Sequence, residues 1–503
     1  MNKTNTDSTS GILEPQPPLV QKVSRGTLWL TGAKAIAVIL GLVRTTILAR
    51  LLSPDDFGLL GIALLGIAVL ERLSQSGFEK ALIQRKEDIS GFLDTAWIIA
   101  VLRGTTLSAV LFFSAPLIAD FYGSPAATLI LKVMAASFLL RGLTNIGVVY
   151  FKKDMLFNKQ FLLHLSEAIT LLVVSISLAF MLKNVWALVW GMFAGILVQV
   201  VVSYIIHPYR PGLNLSLKKA RELFSFGSWI YFSSILVLLF TYGGNAFVGK
   251  ILGVASLGFY ALAYRYSNLA GEIAPMISQV TFPAFSKMQT DLKKIREAYW
   301  RVLQTVVFIS LPLAGAIFAL SAPFVKVFLG DKWLPIVGAM RVLCIVAALR
   351  VILNTYGSLF AGIGKPQEIT KIAAINVVVL ALAIYPLTLK FGIAGTASAL
   401  ALSFSASTTY GTWKAHHIVG IPYFKFGKTI MLPGVGVVAF CIIVMLLQRT
   451  SFFNVGILSF GALAVFSAII YLVAIFLLDK LFDYDITGLG SLLLKGFGFK
   501  KSS

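Results

Sequence analysis

Eight basic side chains stand inside long apolar stretches of this chain: Lys34, Arg44, Arg103, Lys132, Arg141, Arg265, Arg341 and Arg350. Carboxylates in such stretches are fewer, namely Glu167 and Glu272, with Asp94 and Glu71 nearer the stretch ends. A charge deep in an apolar helix costs about 2.5–3.5 kcal/mol on insertion scales, so it faces a partner or a hydrated cavity. Eight cations and four carboxylates cannot all pair, and the surplus is positive. A positive interior attracts anions. Arg suits phosphate and carboxylate groups because its planar fork holds two oxygens at once.

Depth sorts the candidates. Arg44, Lys132 and Arg341 lie within about six residues of an outer end and are expected to snorkel to the headgroups. Arg103 is about 16 Å deep at 1.5 Å per residue, too far to snorkel, and Lys34, Arg141, Arg265 and Arg350 are also well inside. Lys34, Arg103, Arg141, Arg265 and Arg350 are therefore the candidate substrate-binding residues. Asn145 and Asn354 join them, each four residues after an Arg and expected on its helical face. A second reading stays open, in which these cations pair with Asp94, Glu167 or Glu272 and fasten helices together. The same three carboxylates are the candidates for coupling to protons or Na⁺. Arg265 and Glu272 are expected on one face, ahead of a kink at Pro275.

Other chemistry finds little support. Cys344 and Cys441 sit in apolar runs and suggest neither a disulfide nor a metal cluster. The four histidines have no metal-ligand spacing, and the adjacent His416 and His417 read as a loop. Gly488, Gly490, Gly496 and Gly498 follow no strand and make no phosphate loop. No nucleophile–base pair or nucleotide site is visible, so the reading is a non-enzyme with no cofactor and no metal. The aromatic residues Trp29, Trp333 and Tyr423 read as interface anchors.

The elements that position these charges follow from composition. Of 503 residues, 58% are hydrophobic and 13% charged, with a mean hydropathy of +0.86; soluble domains carry about 25% charged residues. Apolar runs of about 20 residues recur along the chain, each long enough to cross a bilayer core. The chain therefore reads as an all-α polytopic membrane protein. A soluble enzyme and a single-anchor protein are both excluded. Fourteen spans are expected, at roughly 26–48, 57–73, 92–117, 126–149, 160–182, 184–206, 226–248, 257–283, 302–320, 335–358, 369–388, 393–413, 429–447 and 455–478. Residues 1–25 are polar, carry Pro15, Pro17 and Pro18, and read as a disordered tail without a signal-peptide core.

The net charge of +22 could suggest nucleic acid. Its distribution says otherwise: with Arg72 and Lys371 at span ends assigned to their adjoining loops, the tails and loops on the side of the N-terminus hold 28 Lys and Arg, and the opposite loops 7. Basic loops stay in the cytoplasm. Both termini are accordingly expected there, in a multi-pass protein of the inner membrane, with no nucleic-acid partner.

The chain also repeats itself. ILARLLSPDDFGLLGIA at 47–63 aligns without gaps on FVGKILGVASLGFYALA at 247–263, placing Arg50 on Lys250 and Gly58 on Gly258. SAPLIADFYG at 114–123 matches SAPFVKVFLG at 321–330. Beyond it Lys132 meets Arg341, Arg141 meets Arg350 and Asn145 meets Asn354, all at an offset of 209. The expected organisation is a six-helix lobe at 26–206, a cytoplasmic linker at 207–225, a second six-helix lobe at 226–415, an appended helix pair within 416–478 and a cytoplasmic tail at 479–503. Parallel repeats of this kind mark transporters whose lobes rock about a central site.

From about residue 22 to 480 the sequence resembles the polysaccharide-transport branch of the multidrug/oligosaccharidyl-lipid/polysaccharide flippase superfamily, with colanic-acid and teichuronic-acid exporters among the look-alikes. The carrying motifs are LARLLSPDDFGLLGIA, SGFEKALIQRK at 76–86, SAPLIADFYGSP at 114–125, NVWALVWG at 184–191, RELFSFGSW at 221–229 and FLGDKWLP at 328–335. The resemblance implies a MATE-like fold and a flippase for an oligosaccharide on a polyprenyl pyrophosphate carrier, with the appended pair near a lipid groove. Membrane lipids would be further partners, as would polysaccharide polymerase and export machinery. Rival readings are a lipid II-type flippase, a multidrug exporter, which would need an acidic cavity, and a glycan polymerase or ligase. The last would need catalytic residues on a large outer loop; the longest, 321–335, holds no clustered carboxylates or His.

Overall fold

A long apolar segment in a bilayer satisfies its backbone most simply as an α-helix, whose hydrogen bonds are all internal. The computed structural model describes residues 19–74, 78–85, 88–219, 228–272, 278, 281–282, 284–420, 422–448 and 456–482. Among the described residues it is helical and contains no strand. The elements are α1 (Leu19–Leu51), α2 (Pro54–Leu73), α3 (Phe78–Gln84), α4 (Leu93–Phe121), α5 (Ala126–Gly142), α6 (Val149–Lys153), α7 (Phe157–Leu182) and α8 (Trp186–Ile206). After them come α9 (Ser228–Leu252), α10 (Val254–Ser267), α11 (Leu292–Phe324), α12 (Ile336–Gly362), α13 (Pro366–Val419), α14 (Tyr423–Leu447) and α15 (Ile457–Phe482).

Local chemistry sets the helix starts. Ser53 caps α2: its hydroxyl accepts from the Asp56 N–H at 3.2 Å while the Asp56 carboxylate accepts from the Ser53 N–H at 2.9 Å. Pro54 occupies the first turn, where its missing N–H costs nothing. Both α5 and α12 begin directly after a proline, Pro125 and Pro335. The long α13 breaks at Gly392 (φ 59°) and folds back on itself, so that Asn376 on one arm accepts from Ser403 at 3.0 Å and Ser407 at 2.7 Å on the other.

Packing sorts the helices into two groups. In one, α1 packs on α7, α2 on α4 and α5, and α5 on α8; in the other, α10, α11 and α13 pack on α12, and α9 packs on α13. The groups meet mainly where α2 crosses α10, while α14 and α15 pack against α11. Among the described residues, seven helices are long and apolar enough to cross a membrane, and an eighth forms if the pair at 126–142 and 146–153, bent by 67°, counts as one span.

Several local expectations change. Helix α1 begins at Leu19, inside the expected tail. The stretch 321–335, expected as an outer loop, is mostly wound, as the end of α11, a π turn over Val325–Leu329 and a 3-10 turn over Asp331–Trp333. His416 and His417 lie in the last turn of α13 rather than in a loop, with His416 stacked on Tyr423 at 4.0 Å. Pro275 and the C-terminal glycines from Gly488 onward lie outside the described residues.

Candidate functional site

The two helix groups meet along a seam formed by α1, α2 and α10. On it the Thr46 and Tyr266 hydroxyls are hydrogen-bonded at 3.0 Å. Arg265 lies one residue before Tyr266 and is exposed, although Ala263 and Tyr266 on either side are buried. Its guanidinium rests over Gly41 of α1, so close that a Cβ there would meet Nη2 at 2.7 Å. Arg265 is eleven residues past the start of α10, in its last turn, about 16 Å along the helix.

Arg44 is on α1 close by, and the two guanidinium charges repel one another. The Arg44 Nε is buried and has no hydrogen-bond partner among the described residues. Snorkelling was the expectation for Arg44, and the structure corrects it, because the side chain turns into the seam rather than out to the surface. Neither arginine has a carboxylate partner among the described residues. Two adjacent, unneutralised guanidinium groups leave room for an anion to supply the missing charge. Beside them runs an apolar groove of about 410 Å³ lined by Leu42, Val43, Thr46, Tyr266, Phe324 and Phe460, the last contributed by α15.

A second cationic patch lies within the first helix group. Arg103 and Arg141 line a pocket of about 210 Å³ with Glu71, Thr144 and Asn145. Arg103 donates to the Ser74 hydroxyl at 2.8 and 3.2 Å, and Glu71 draws its charge. Arg141, in the last turn of α5, is exposed and makes no hydrogen bond or ion pair among the described residues.

Asn145 does not share its face. The helix ends at Gly142, and Asn145 is a buried cap with its side chain fully engaged: Oδ1 accepts from the Gly147 N–H at 2.9 Å, and Nδ2 donates to the His207 and Tyr209 carbonyls at 3.3 and 2.9 Å. Its role is to hold the 207–209 segment.

In the second group Arg350 is held where Arg141 is loose. It donates to Asn268 Oδ1 at 2.7 Å and to the Tyr264 hydroxyl at 2.5 Å, and lies over the Phe404 ring at 5.4 Å. Asn268 in turn donates to Glu272 at 3.0 Å. Asn354 follows Arg350 on the unbroken α12, and its backbone carbonyl accepts from Ser278 at 3.3 Å. The expected common face of Arg265 and Glu272 is lost, because α10 ends at Ser267 and a 3-10 turn intervenes.

The other carboxylates bond to neutral groups. Asp94 accepts from Tyr209 at 2.6 Å, the Gly212 N–H at 3.1 Å and Asn214 at 3.3 Å; Glu167 accepts from Gln199 at 2.8 Å. Asp94 thus anchors the segment after α8. Lys34 lies on α1, with its side chain outside the described residues. Lys132 stands over the Phe112 ring at 5.3 Å, and Arg341 donates to Ser321 at 3.2 Å.

Trp333 is a correction of another kind. It is fully buried, edge-on to Phe57 and Phe259 at 5.3 and 5.6 Å, and no interface anchor. Sequence reasoning missed Arg44 because depth along a span says nothing of the direction a side chain takes.

The region 47–338 matches the family described as polysaccharide biosynthesis protein. Lipopolysaccharide biosynthesis protein WzxC of Escherichia coli (strain K12) is 31% identical over 68% of this chain and 70% of its own length. Teichuronic acid biosynthesis protein TuaB of Bacillus subtilis (strain 168) is 24% identical over 69% and 73%. Among solved structures, lipid II flippase MurJ in an inward closed conformation superposes with a TM-score of 0.73 at 17% identity, covering 92% of this chain and 99% of that one. An inward-facing MATE family multidrug transporter of the MOP superfamily gives 0.64 at 15% identity over 76% and 94%. These two likenesses speak for the fold alone. The family match spans more than half of the chain, and with the WzxC likeness it settles the family: this chain is a member of the polysaccharide biosynthesis protein family.

Proposed function

We propose that this protein flips a polyprenyl-pyrophosphate-linked oligosaccharide across the cytoplasmic membrane by alternating access between its two helix groups. The observation that carries the reading is the pair Arg44 and Arg265, two adjacent guanidiniums at the seam with no carboxylate partner among the described residues. A pyrophosphate is an anion that two such forks can share, and the adjoining apolar groove suits the polyprenyl tail. Arg103 and Arg141 would meet phosphate or acidic sugars on the cytoplasmic side. An organic cation would be repelled by this interior, which argues against multidrug export. The reading includes fourteen spans, cytoplasmic termini and no bond-making step.

The test is reconstitution into vesicles with lipid-linked oligosaccharide, scoring glycan exposed to an added glycosidase. The parent protein should expose it. Arg44→Gln and Arg265→Gln should slow exposure about ten-fold or more, the loss of a charge-assisted contact being worth about 1.5–3 kcal/mol, while the protein stays folded. Unchanged exposure in the double variant would remove the pair from the site. Reporter fusions after Leu156, Leu215 and Thr290 should all read cytoplasm, and an outside reading from any of them would break the topology.

A further inference from the structure

The seam is closed at the end where α1 stops and α2 starts, and its closure is built from the sequence repeat. Arg50, at the end of α1, donates through Nε to the Phe328 carbonyl at 2.9 Å, and its Nη2 donates to the Val327 carbonyl. Lys250, near the end of α9, donates to the Phe121 carbonyl at 2.6 Å. Lys250 is the repeat mate of Arg50, and Phe121, in SAPLIADFYG, is the mate of Phe328, in SAPFVKVFLG. Each helix group therefore reaches across with the same cation to the same carbonyl of the other. The acceptors close α4 and the π turn after α11, ends where carbonyls lack helical partners and the dipole favours a cation.

The two halves of this exchange are unequal. On the Arg50 side Lys332 donates to the Arg50 and Leu52 carbonyls at 3.0 and 2.7 Å, and the Trp333 indole donates to the Ala49 carbonyl at 2.7 Å. On the other side, among the described residues, Lys250 makes one hydrogen bond, with its Nζ also 4.7 Å from the centre of the Phe121 ring.

We infer that the reciprocal pair Arg50–Phe328 and Lys250–Phe121 is the latch that holds the outer gate shut, and that the single-bonded Lys250 half releases first. The word outer rests on the topology proposed above; the latch itself does not. Every bond named joins one helix group to the other, so the two cannot part at this end without breaking them. The acceptors are backbone carbonyls, so the latch resets without a partner side chain that must ionise.

The reporter is Leu257→Cys in a background of Cys344→Ala and Cys441→Ala. Leu257 is fully buried and packs against Gly61 of the opposite group. A membrane-impermeant maleimide is applied to right-side-out and to inverted vesicles, and labelling is normalised to folded protein. Lys250→Ala and Arg50→Ala should each raise labelling about ten-fold, the loss of one charge-assisted contact. Lys250→Arg, which restores the second donor, should lower it below the parent. Labelling confined to right-side-out vesicles supports both latch and topology; labelling confined to inverted ones keeps the latch and overturns the topology. Should Arg50→Ala fail to fold, Lys332→Gln reports on the same half. Parental labelling in folded Lys250→Ala and in Lys332→Gln, with no slowing in Lys250→Arg, overturns the latch.

Discussion

Gly58 and Gly258 occupy each other's contact surface. A Cβ on Gly58 would run into the Val254 carbonyl oxygen of α10, and a Cβ on Gly258 would run into the Pro54 carbonyl oxygen of α2. The offset between the glycines is 200, and so is that between Pro54 and Val254. The repeat read along the chain is thus a two-fold exchange in space: each glycine admits the first turn of the other's helix. Backbone–backbone approach of this kind is how small residues let membrane helices pack where the hydrophobic effect offers no drive.

A methyl group at either position meets a backbone carbonyl that cannot swing aside, and at Gly58 the Val254 Cγ1 methyl as well. Gly58→Ala and Gly258→Ala should each lower stability by about 1–3 kcal/mol through overpacking. Gly243→Ala is the control, since nothing lies within 4 Å of a Cβ there. Thermal unfolding in detergent decides; equal midpoints for all three would show that the seam is not tight at these glycines.

Asn145→Ala should leave the 207–209 carbonyls and the Gly147 N–H without their partner. An unsatisfied buried polar group costs about 1–3 kcal/mol, so amide exchange should quicken across 203–212 and remain unchanged in α12. Asn354→Ala should not reproduce the effect, because Asn354 engages Ser278 only through its backbone carbonyl. Equal responses would restore the equivalence that the repeat suggested.

His207 makes the same segment sensitive to acid. Its Nδ1 accepts from the Tyr209 N–H at 3.1 Å and its ring stacks on Tyr150 at 5.7 Å. Burial, then Lys159 and Arg210, hold its pKa below the usual 6.5. In the unfolded segment the ring takes a proton first, so between the two pKa values the open state binds more protons and stability rises with pH. The contribution is complete above about 6.5 and is lost as pH falls toward the lowered value. Amide protection over 207–216, taken relative to the intrinsic exchange rate at each pH, should therefore fall between pH 7.5 and 5.5, and His207→Gln should flatten the change. A pH response that survives the substitution would assign it elsewhere.

Much of this arrangement was legible in the residues, and the illegible part has a physical pattern. Composition gave the helical membrane class and the repeat paired Arg50 with Lys250, because apolar length and offset are properties of the chain alone. Side-chain direction is not. Arg44 and Arg341 stand at comparable distances from their helix ends, yet one turns into the seam with a bare Nε while the other finds the Ser321 hydroxyl. Trp333 carries the composition of an interface anchor and is fully buried beneath Phe57 and Phe259. Helix ends were equally hidden: nothing in the spacing of Arg141 and Asn145 announces that α5 stops between them while α12 runs on.

That difference in helix ends separates two arginines that the sequence treats as equals. Arg350 is tied to Asn268 and Tyr264, and through Asn268 to Glu272, beneath the Phe404 ring. Removing its charge strips a hydrogen-bonded network of its donor, so Arg350→Gln should cost about 1.5–3 kcal/mol and lower the yield of folded protein. Arg141 has no such ties among the described residues, and Arg141→Gln should leave the unfolding midpoint unmoved while reducing glycan exposure per folded molecule. Arg141→Lys should recover only part, since it keeps the charge and loses the fork. The measurement is paired, with unfolding midpoint and normalised exposure taken on the same preparations. Reversed assignments, with Arg141→Gln unstable and Arg350→Gln folded but inactive, would show that Arg141 is scaffold and that Arg350 meets the cargo.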